Sequence, residues 1–217
     1  MSDNTEISVP KLKQIIILLT PLMIVPISRL MNVLFRPLLD TWAWVPVILI
    51  YWALIASIIA WGGGKQAVVR WLKRPQGLWV WSVLPLAFIF FALPMFLSSW
   101  RNLGDLYIFL PWLLFGLINP CLEEGYWRGL MMDSKGKLPV WSVIIYSNLL
   151  FSLNHLAVGD VSAGMKNPVF LANTLVLGMI YSFIYYKTRS LHWLIVAHSL
   201  MDLLGVGVLV FMNIYIP

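Results

Sequence analysis

The feature that most constrains this chain is a series of long apolar runs, each close to the length needed to cross a bilayer. A hydrocarbon core about 30 Å thick requires roughly 20 helical residues per crossing. Runs of this kind recur along all 217 residues, with Gly, Pro, charged residues or Trp at most of the breaks. We predict about seven transmembrane spans, within a range of six to eight, near residues 14–34, 42–62, 78–97, 106–132, 140–157, 168–186 and 191–215.

The composition agrees with a membrane protein, because 60% of the residues are hydrophobic and only 11% are charged. A transmembrane barrel is excluded, since its alternation of apolar and polar residues is missing from these runs. The sequence contains no 20–50-residue repeat and no low-complexity linker. It therefore predicts an all-α, polytopic membrane helix bundle that forms one integral membrane domain over residues 1–217.

The net charge of +6 is explained by topology rather than by nucleic-acid binding. The basic residues flank the apolar spans, where they contact anionic lipid and fix the orientation of the chain. We therefore expect the lipid bilayer, and no nucleic acid, as a partner. Most of the basic residues fall on one side, which predicts a cytoplasmic N-terminus: Lys11, Lys13, Lys65, Arg70, Lys73, Arg74, Arg128, Lys135, Lys137, Lys187 and Arg189 on that side, against Arg36, Arg101 and Lys166 on the other.

Five ionisable side chains lie inside the apolar runs of the C-terminal half, where such groups are costly and usually functional. They are Glu123, Glu124, His155, His198 and Asp202. Counted along helices from the cytoplasmic ends, the two glutamates lie about 12–14 Å deep, His198 about 10 Å and Asp202 about 16 Å. His155 lies deeper, at about 22 Å. The overlapping depths predict that these residues work together.

Helical spacing divides this group into pairs. Glu124 and Arg128 are four residues apart with the acid first, which favours an ion pair and leaves Glu123 as the unneutralised carboxylate. His198 and Asp202 are also four residues apart and face the same neighbouring helix. The residue types fit polar contacts between helices, an acid–base site that activates water, or a metal site. The single cysteine, Cys121, forms no internal disulfide and belongs to no cysteine cluster.

Three motifs in order resemble the CPBP family of intramembrane proteases, which includes CAAX proteases, bacteriocin-processing enzymes and the Abi proteins. The EExxxR motif is present as Glu123, Glu124 and Arg128, and the FxxxH motif as Phe151 and His155. The HxxxN or HxxxD motif is present as His198 and Asp202. The resemblance covers residues 106–205 as a catalytic core, whereas residues 1–105 share only the hydrophobic character of transmembrane helices.

The resemblance implies peptide-bond hydrolysis within the membrane. It assigns water activation to Glu123 and His155 and stabilisation of the oxyanion to His198 and Asp202, with Glu124, Arg128 and Phe151 in support. An aspartate donates a hydrogen bond only when it is protonated, so Asp202 departs from the asparagine common at this position. An ionised Asp202 would instead orient His198. The alternative is a divalent metal such as zinc held by Glu123, His155 and His198, but no HExxH pair is present and we favour a mechanism without a cofactor.

The water that reacts must reach this depth, so we expect a hydrophilic cavity open toward the cytoplasm. The expected substrate is a membrane-associated or lipophilic peptide or protein: a prenylated peptide, a bacteriocin or pheromone precursor, or a membrane-anchored regulator. Two other functions stay open, a non-catalytic immunity or partner-binding protein of the same fold and a proton-coupled transporter. A transporter predicts ionisable residues in both halves, whereas here they cluster in the second. The short chain and the lack of an organelle signal predict a bacterial cytoplasmic membrane.

Overall fold

The protein is helical wherever it forms regular structure, in a computed structural model that describes residues 10–159, 162–205 and 207–215. The α-helices are α1 (Lys11–Leu19), α2 (Pro21–Leu39), α3 (Trp44–Gly62), α4 (Gly64–Trp71), α5 (Trp79–Val83), α6 (Ile89–Ser99), α7 (Leu106–Glu123), α8 (Met131–Asp133), α9 (Val140–Val158), α10 (Pro168–Thr188), α11 (His192–Leu204) and α12 (Gly207–Phe211). Short 3-10 turns cover Asp40–Trp42, Leu84–Phe88, Trp100–Gly104 and Ala163–Lys166. The predicted all-α fold is confirmed.

Within the described residues, six helical segments are long and apolar enough to cross a membrane, so the chain is an integral membrane protein. They are Lys11–Trp42, Trp44–Gly62, Trp79–Gly104, Leu106–Asp133, Val140–Val158 and Pro168–Thr188. The seventh predicted span, 191–215, is interrupted. Its helix α11 has 13 residues and ends before Gly205, and 13 residues extend only about 20 Å. Two glycines at 205 and 207 explain the interruption, because glycine lowers helix stability.

The fourth span changes its helical type at the motif that contains the two glutamates. Helix α7 ends at Glu123 and continues directly as a π-helical segment, Glu124–Leu130, and then as α8. Pro120, inside the last turn of α7, has no backbone N–H to donate. Single turns of π-helix are rare and are frequent at functional sites. The wider turn places seven consecutive buried residues at the centre of the bundle.

The bundle has two distinct ends. One end carries α4, the α8–α9 connection and the α10–α11 connection, and we call it the basic end. The opposite end carries the α2–α3, α6–α7 and α9–α10 connections, and we call it the far end. At the basic end, Asp133 accepts hydrogen bonds from Arg70 (2.6 Å), the Trp71 indole (2.8 Å) and the Tyr185 hydroxyl (2.8 Å). Trp71 also packs on Gly129, where an added Cβ would lie 2.7 Å from its ring. These contacts fix α4 to the span that carries both glutamates.

The C-terminal helices are arranged around that same span. Helix α11 packs against α7 and α6, while α9 packs between α2 and α10. The π-helical segment contacts α3, α4 and α10. Residues from α3, α7, α9, α10 and α11 therefore meet in the interior of the bundle, which is where the predicted site residues lie.

Candidate active site

The interior contains one large cavity of about 810 Å³. All seven residues of the three motifs line it, namely Glu123, Glu124, Arg128, Phe151, His155, His198 and Asp202. Most of the other lining residues are apolar or aromatic. The structure therefore brings the sequence-predicted residues together in a cavity large enough for part of a peptide.

The cavity extends in a different direction from the one expected. From Arg128 and Tyr181 it continues along the first half of α10 as far as Val169 and Asn167, at the far end of the bundle. Within the described residues, its lining includes none from α4, from the α8–α9 connection or from the α10–α11 connection. The expectation of a hydrophilic cavity open toward the basic end, predicted to be cytoplasmic, is not met. Aromatic residues such as Trp71 and Tyr185 are buried at that end instead.

Glu123 is held by two hydrogen bonds from different helices. Its side chain is 4% exposed; the Tyr51 hydroxyl of α3 donates to Oε1 at 2.9 Å, and Asn119 Nδ2, one turn earlier in α7, donates to Oε2 at 3.0 Å. Trp127 Nε1 donates in turn to the Tyr51 hydroxyl at 2.8 Å. Both donors stabilise the carboxylate form and fix its orientation toward the cavity.

His198 lies between the two glutamates. Its Nδ1 is 2.7 Å from Glu124 Oε1, and because a carboxylate accepts, Nδ1 carries the proton of this hydrogen bond. On the other side of the ring, Nε2 is 3.7 Å from Glu123 Oε2 and 3.6 Å from Asp202 Oδ1. Asn119 Nδ2 also donates to Asp202 Oδ2 at 3.2 Å. His198 thus connects all three carboxylates of the site.

Glu124 forms the ion pair that helical spacing predicts. Arg128 Nη1 lies 3.3 Å from Glu124 Oε1, and both side chains are almost completely buried. The guanidinium carbon lies 4.3 Å from the centre of the Phe151 ring, in cation–π contact. An added Cβ at Gly178 of α10 would lie 3.0 Å from Arg128 Nη2, so the glycine provides the space for this side chain. The phenylalanine of the FxxxH motif thereby has a clear role in packing against the arginine.

His155 occupies the same cavity but has a different environment. It lies one turn from the far end of α9, in agreement with the greater depth expected from the sequence. Its Nδ1 contacts the Phe151 carbonyl at 2.9 Å, and its ring packs edge-on against Phe151 and Phe170. Since a carbonyl only accepts, Nδ1 donates and Nε2 is the nitrogen left to contact a ligand. His155 has no direct hydrogen bond to Glu123 within the described residues.

Sequence reasoning missed the residues that position Glu123. Tyr51, Trp52 and Trp127 look like ordinary aromatic residues of apolar spans, and nothing in their spacing marks them as donors. Asn119 is different, because an asparagine four residues before Glu123 lies on the same helical face and is a detectable signal. Its amide oxygen accepts from Trp52 Nε1 at 2.9 Å, which fixes which way the amide points.

The described side chains do not form a metal site. No group of three or more His, Cys, Asp or Glu residues in this part of the chain is arranged to hold a metal ion. The Nδ1 atoms of His155 and His198 are engaged in hydrogen bonds, which leaves Nε2 of each ring as the nitrogen able to contact a ligand. The predicted set of Glu123, His155 and His198 is not among such groups.

Comparison with known proteins identifies the segment that holds these residues. Residues 105–204 match the family model described as type II CAAX prenyl endopeptidase Rce1-like. No curated protein and no solved structure matches the chain. The matched family is one of membrane proteases whose substrates are membrane-embedded peptides or proteins, and it agrees with the resemblance to CPBP proteases carried by the three motifs. The segment that matches the Rce1-like type II CAAX prenyl endopeptidase model thus contains both glutamates, both cavity histidines and Asp202.

Proposed function

We propose that this protein is an intramembrane endopeptidase that hydrolyses a peptide bond of a membrane-associated or lipophilic peptide or protein. One observation carries the proposal. The Glu123 carboxylate is held by Tyr51 and Asn119 at the wall of a cavity that His155, His198 and Asp202 also line, inside the segment that matches the protease family. A fixed carboxylate beside an imidazole is an arrangement suited to activating water.

Glu123 acts as the general base in the proposed reaction. It takes a proton from a water molecule while the water oxygen attacks the carbonyl carbon of the substrate, and His155 positions that water through Nε2. The new C–O bond converts the carbonyl into a tetrahedral oxyanion. When the C–N bond breaks, the proton held by Glu123 passes to the leaving amine. The products are an amine and a carboxylic acid, which then loses its proton to water.

In this scheme His198 donates to the developing oxyanion, and Asp202 either donates as well or orients His198. His198 Nδ1 donates to Glu124, so a proton on Nε2 makes the ring cationic and able to donate to the oxyanion. The Asp202 contact with Asn119 uses the aspartate as an acceptor, which is compatible with an ionised side chain that orients His198. Donation by Asp202 itself requires its protonated form.

The proposal also covers location and cofactor. We place the protein in a bacterial cytoplasmic membrane with its N-terminus, and therefore the basic end, in the cytoplasm, because basic residues concentrate on the cytoplasmic side of membrane proteins. We propose that no cofactor is required. The site residues come from a family-matched segment, whereas the substrate sequence is left to experiment.

The test is cleavage of a quenched fluorescent peptide library by the purified full chain in detergent. Glu123→Gln keeps the size of the side chain but replaces one acceptor oxygen with an NH2 group and removes the base, so it should abolish cleavage. Asp40→Asn makes the same chemical change at an exposed residue outside the cavity and should leave cleavage unchanged. Turnover by Glu123→Gln at the wild-type rate would reject the mechanism.

A parallel experiment with a zinc chelator distinguishes a cofactor-free reaction from a metal-dependent one. Cleavage that persists in the presence of a zinc chelator supports the cofactor-free reaction, while cleavage that stops and returns with added zinc assigns His155 and His198 to a metal. A wild-type protein that binds peptides but cleaves none would instead support the partner-binding function. Proton uptake coupled to solute movement in vesicles would support a transporter.

A further inference from the structure

The cavity has a mouth on the membrane-facing side of the bundle. Four residues that line the cavity are also exposed on the outer surface of the bundle: Phe91, Val169, Asn173 and Val176. Phe91 is 77% exposed and belongs to α6, whereas the other three lie on α10. The cavity is therefore continuous with the surface between these two helices.

The two helices leave this space open because neither packs closely on the other. Helix α6 packs on α11 and helix α10 packs on α9, while α6 and α10 are not among the closely packed pairs of the described residues. Both belong to candidate membrane spans, Trp79–Gly104 and Pro168–Thr188. The mouth therefore faces the lipid, and the exposed apolar side chains around it are suited to that environment.

Asn173 is the exception among these rim residues. It is a polar residue in the first half of a membrane span, it is exposed, and no side-chain partner for it exists in the described part of the structure. The hydroxyl of the next residue, Thr174, is satisfied by the Phe170 carbonyl at 2.9 Å. An amide without a hydrogen-bond partner is costly in an apolar environment, so we expect the Asn173 side chain to bind a ligand.

The chemistry of a carboxamide indicates which ligand fits. Asn173 presents one carbonyl acceptor and an NH2 donor in one plane. The backbone of an extended peptide presents the complementary C=O and N–H groups, and it needs such partners when it leaves water. The apolar lining behind the rim accommodates side chains of the same peptide.

We propose that Asn173 binds the backbone of an apolar substrate segment that enters the cavity from the lipid between α6 and α10. This inference rests on the proposed function and extends it, since it assigns an entry path and a substrate-binding residue outside the three motifs. Asn173 lies in the half of the cavity away from the basic end. The segment that binds there is extended rather than helical, because an intact helix leaves no backbone group free for the amide.

Two adjacent phenylalanines offer a matched test of the entry path. Phe90 is 75% exposed and Phe91 is 77% exposed, yet only Phe91 lines the cavity. We would replace each in turn with p-benzoylphenylalanine in the reconstituted full chain and irradiate it with a dansyl-labelled peptide of leucine and alanine. Labelling from position 91 and not from position 90 is expected. Equal labelling from both positions would show general contact with the lipid-facing surface and overturn the path.

The same assay tests Asn173. Asn173→Leu should lower labelling from position 91 about fivefold, the effect of losing one hydrogen bond, and Asn173→Gln should restore part of it. Ala172→Leu, at an exposed neighbour that does not line the cavity, should have no effect. Unchanged labelling in Asn173→Leu would overturn the proposed role.

Because this assay measures binding, it separates the two proposals. Labelling that depends on Asn173, without cleavage of any library peptide, would keep the binding site and reject the protease. Cleavage that requires Glu123, without any effect of Asn173, would keep the protease and reject the binding site.

Discussion

The two halves of this chain contribute differently to one cavity. The half that matches the protease family supplies the ionisable groups: both glutamates, both cavity histidines, Arg128 and Asp202. The N-terminal half, which lies outside the match, supplies Tyr51 and Trp52, and these reach Glu123 directly or through Asn119. A segment recognised by its motifs can therefore depend for its geometry on helices whose sequences show only hydrophobicity.

The two halves contribute differently because they bury different numbers of polar side chains. Among the described residues, the N-terminal half buries few polar groups, chiefly Ser28 and Asn32 of α2 and Ser99 of α6. Aromatic donors such as Tyr51 are tolerated in lipid-facing spans because most of their surface is apolar. A tyrosine therefore positions a carboxylate at little cost to membrane insertion. Changes in the matched half should consequently have larger effects than changes in the N-terminal half.

Arg128→Ala should have the largest effect, and it should act on folding. The substitution leaves the fully buried Glu124 without its guanidinium partner, at a cost of about 3–5 kcal/mol. Arg70→Ala is the control, because the Arg70–Asp133 pair is partly exposed and worth about 1 kcal/mol or less. Thermal unfolding in detergent measures both. Equal melting temperatures for the two variants would contradict the structural role assigned to Arg128.

His198→Ala should come next, with a loss of about 10²–10³-fold in kcat, the usual effect of removing one oxyanion donor. His192→Ala supplies the control, since His192 is exposed at the start of the same helix and does not line the cavity. Peptide cleavage at saturating substrate measures both variants. If His192→Ala lowered kcat as much as His198→Ala, the cavity position of His198 would not explain its role.

Tyr51→Phe tests the contribution of the N-terminal half directly. It removes the hydrogen bond to Glu123 but keeps the ring, and we expect kcat to fall about tenfold with little change in KM, because a hydrogen bond to a charged group is lost. In Tyr146→Phe, a span tyrosine loses its bond to the Leu18 carbonyl, away from the cavity, and kcat should stay the same. Identical losses in both variants would mean that Tyr51 acts only through stability.

Asp202→Asn should have the smallest effect, a change of about threefold or less in kcat, since no polar partner is left unsatisfied. The amide oxygen of the new side chain can still accept from Asn119, and its NH2 group can donate at any pH. Complete loss of cleavage in this variant would show that Asp202 must be ionised. Asp202→Ala, which removes both the acceptor and the donor, should lose more activity than Asp202→Asn.

Much of the fold and the membership of the site could be predicted from the sequence. Apolar runs determine the membrane spans. Each motif lies within one helix, so the spacing of four residues places Glu124 and Arg128 on the same helical face, where they form an ion pair. The interruption of the last helix was missed, although two nearby glycines mark it. The direction of the cavity was also missed, because it depends on which helices leave space between them, and this is a property of packing rather than of any one helix.

The contacts of individual residues also differ in whether the sequence can predict them. Spacing along one helix could have identified Asn119 as a partner of Glu123. The Tyr51–Glu123 bond joins residues 72 positions apart, and no local pattern predicts it. Pro120 permits a wider helical turn without requiring one, so the sequence indicates a local widening here but does not specify the π-helical segment that follows Glu123.

The most direct test of the account is to locate the bond that is cut in a bilayer-embedded substrate. A peptide with one apolar transmembrane segment would be incorporated into vesicles with the wild-type protein or with Glu123→Gln, and mass spectrometry would identify the products. We predict a cut within the apolar segment by the wild type and none by Glu123→Gln. The same cut by both proteins, or cuts confined to the water-exposed ends of the peptide, would contradict intramembrane hydrolysis by Glu123.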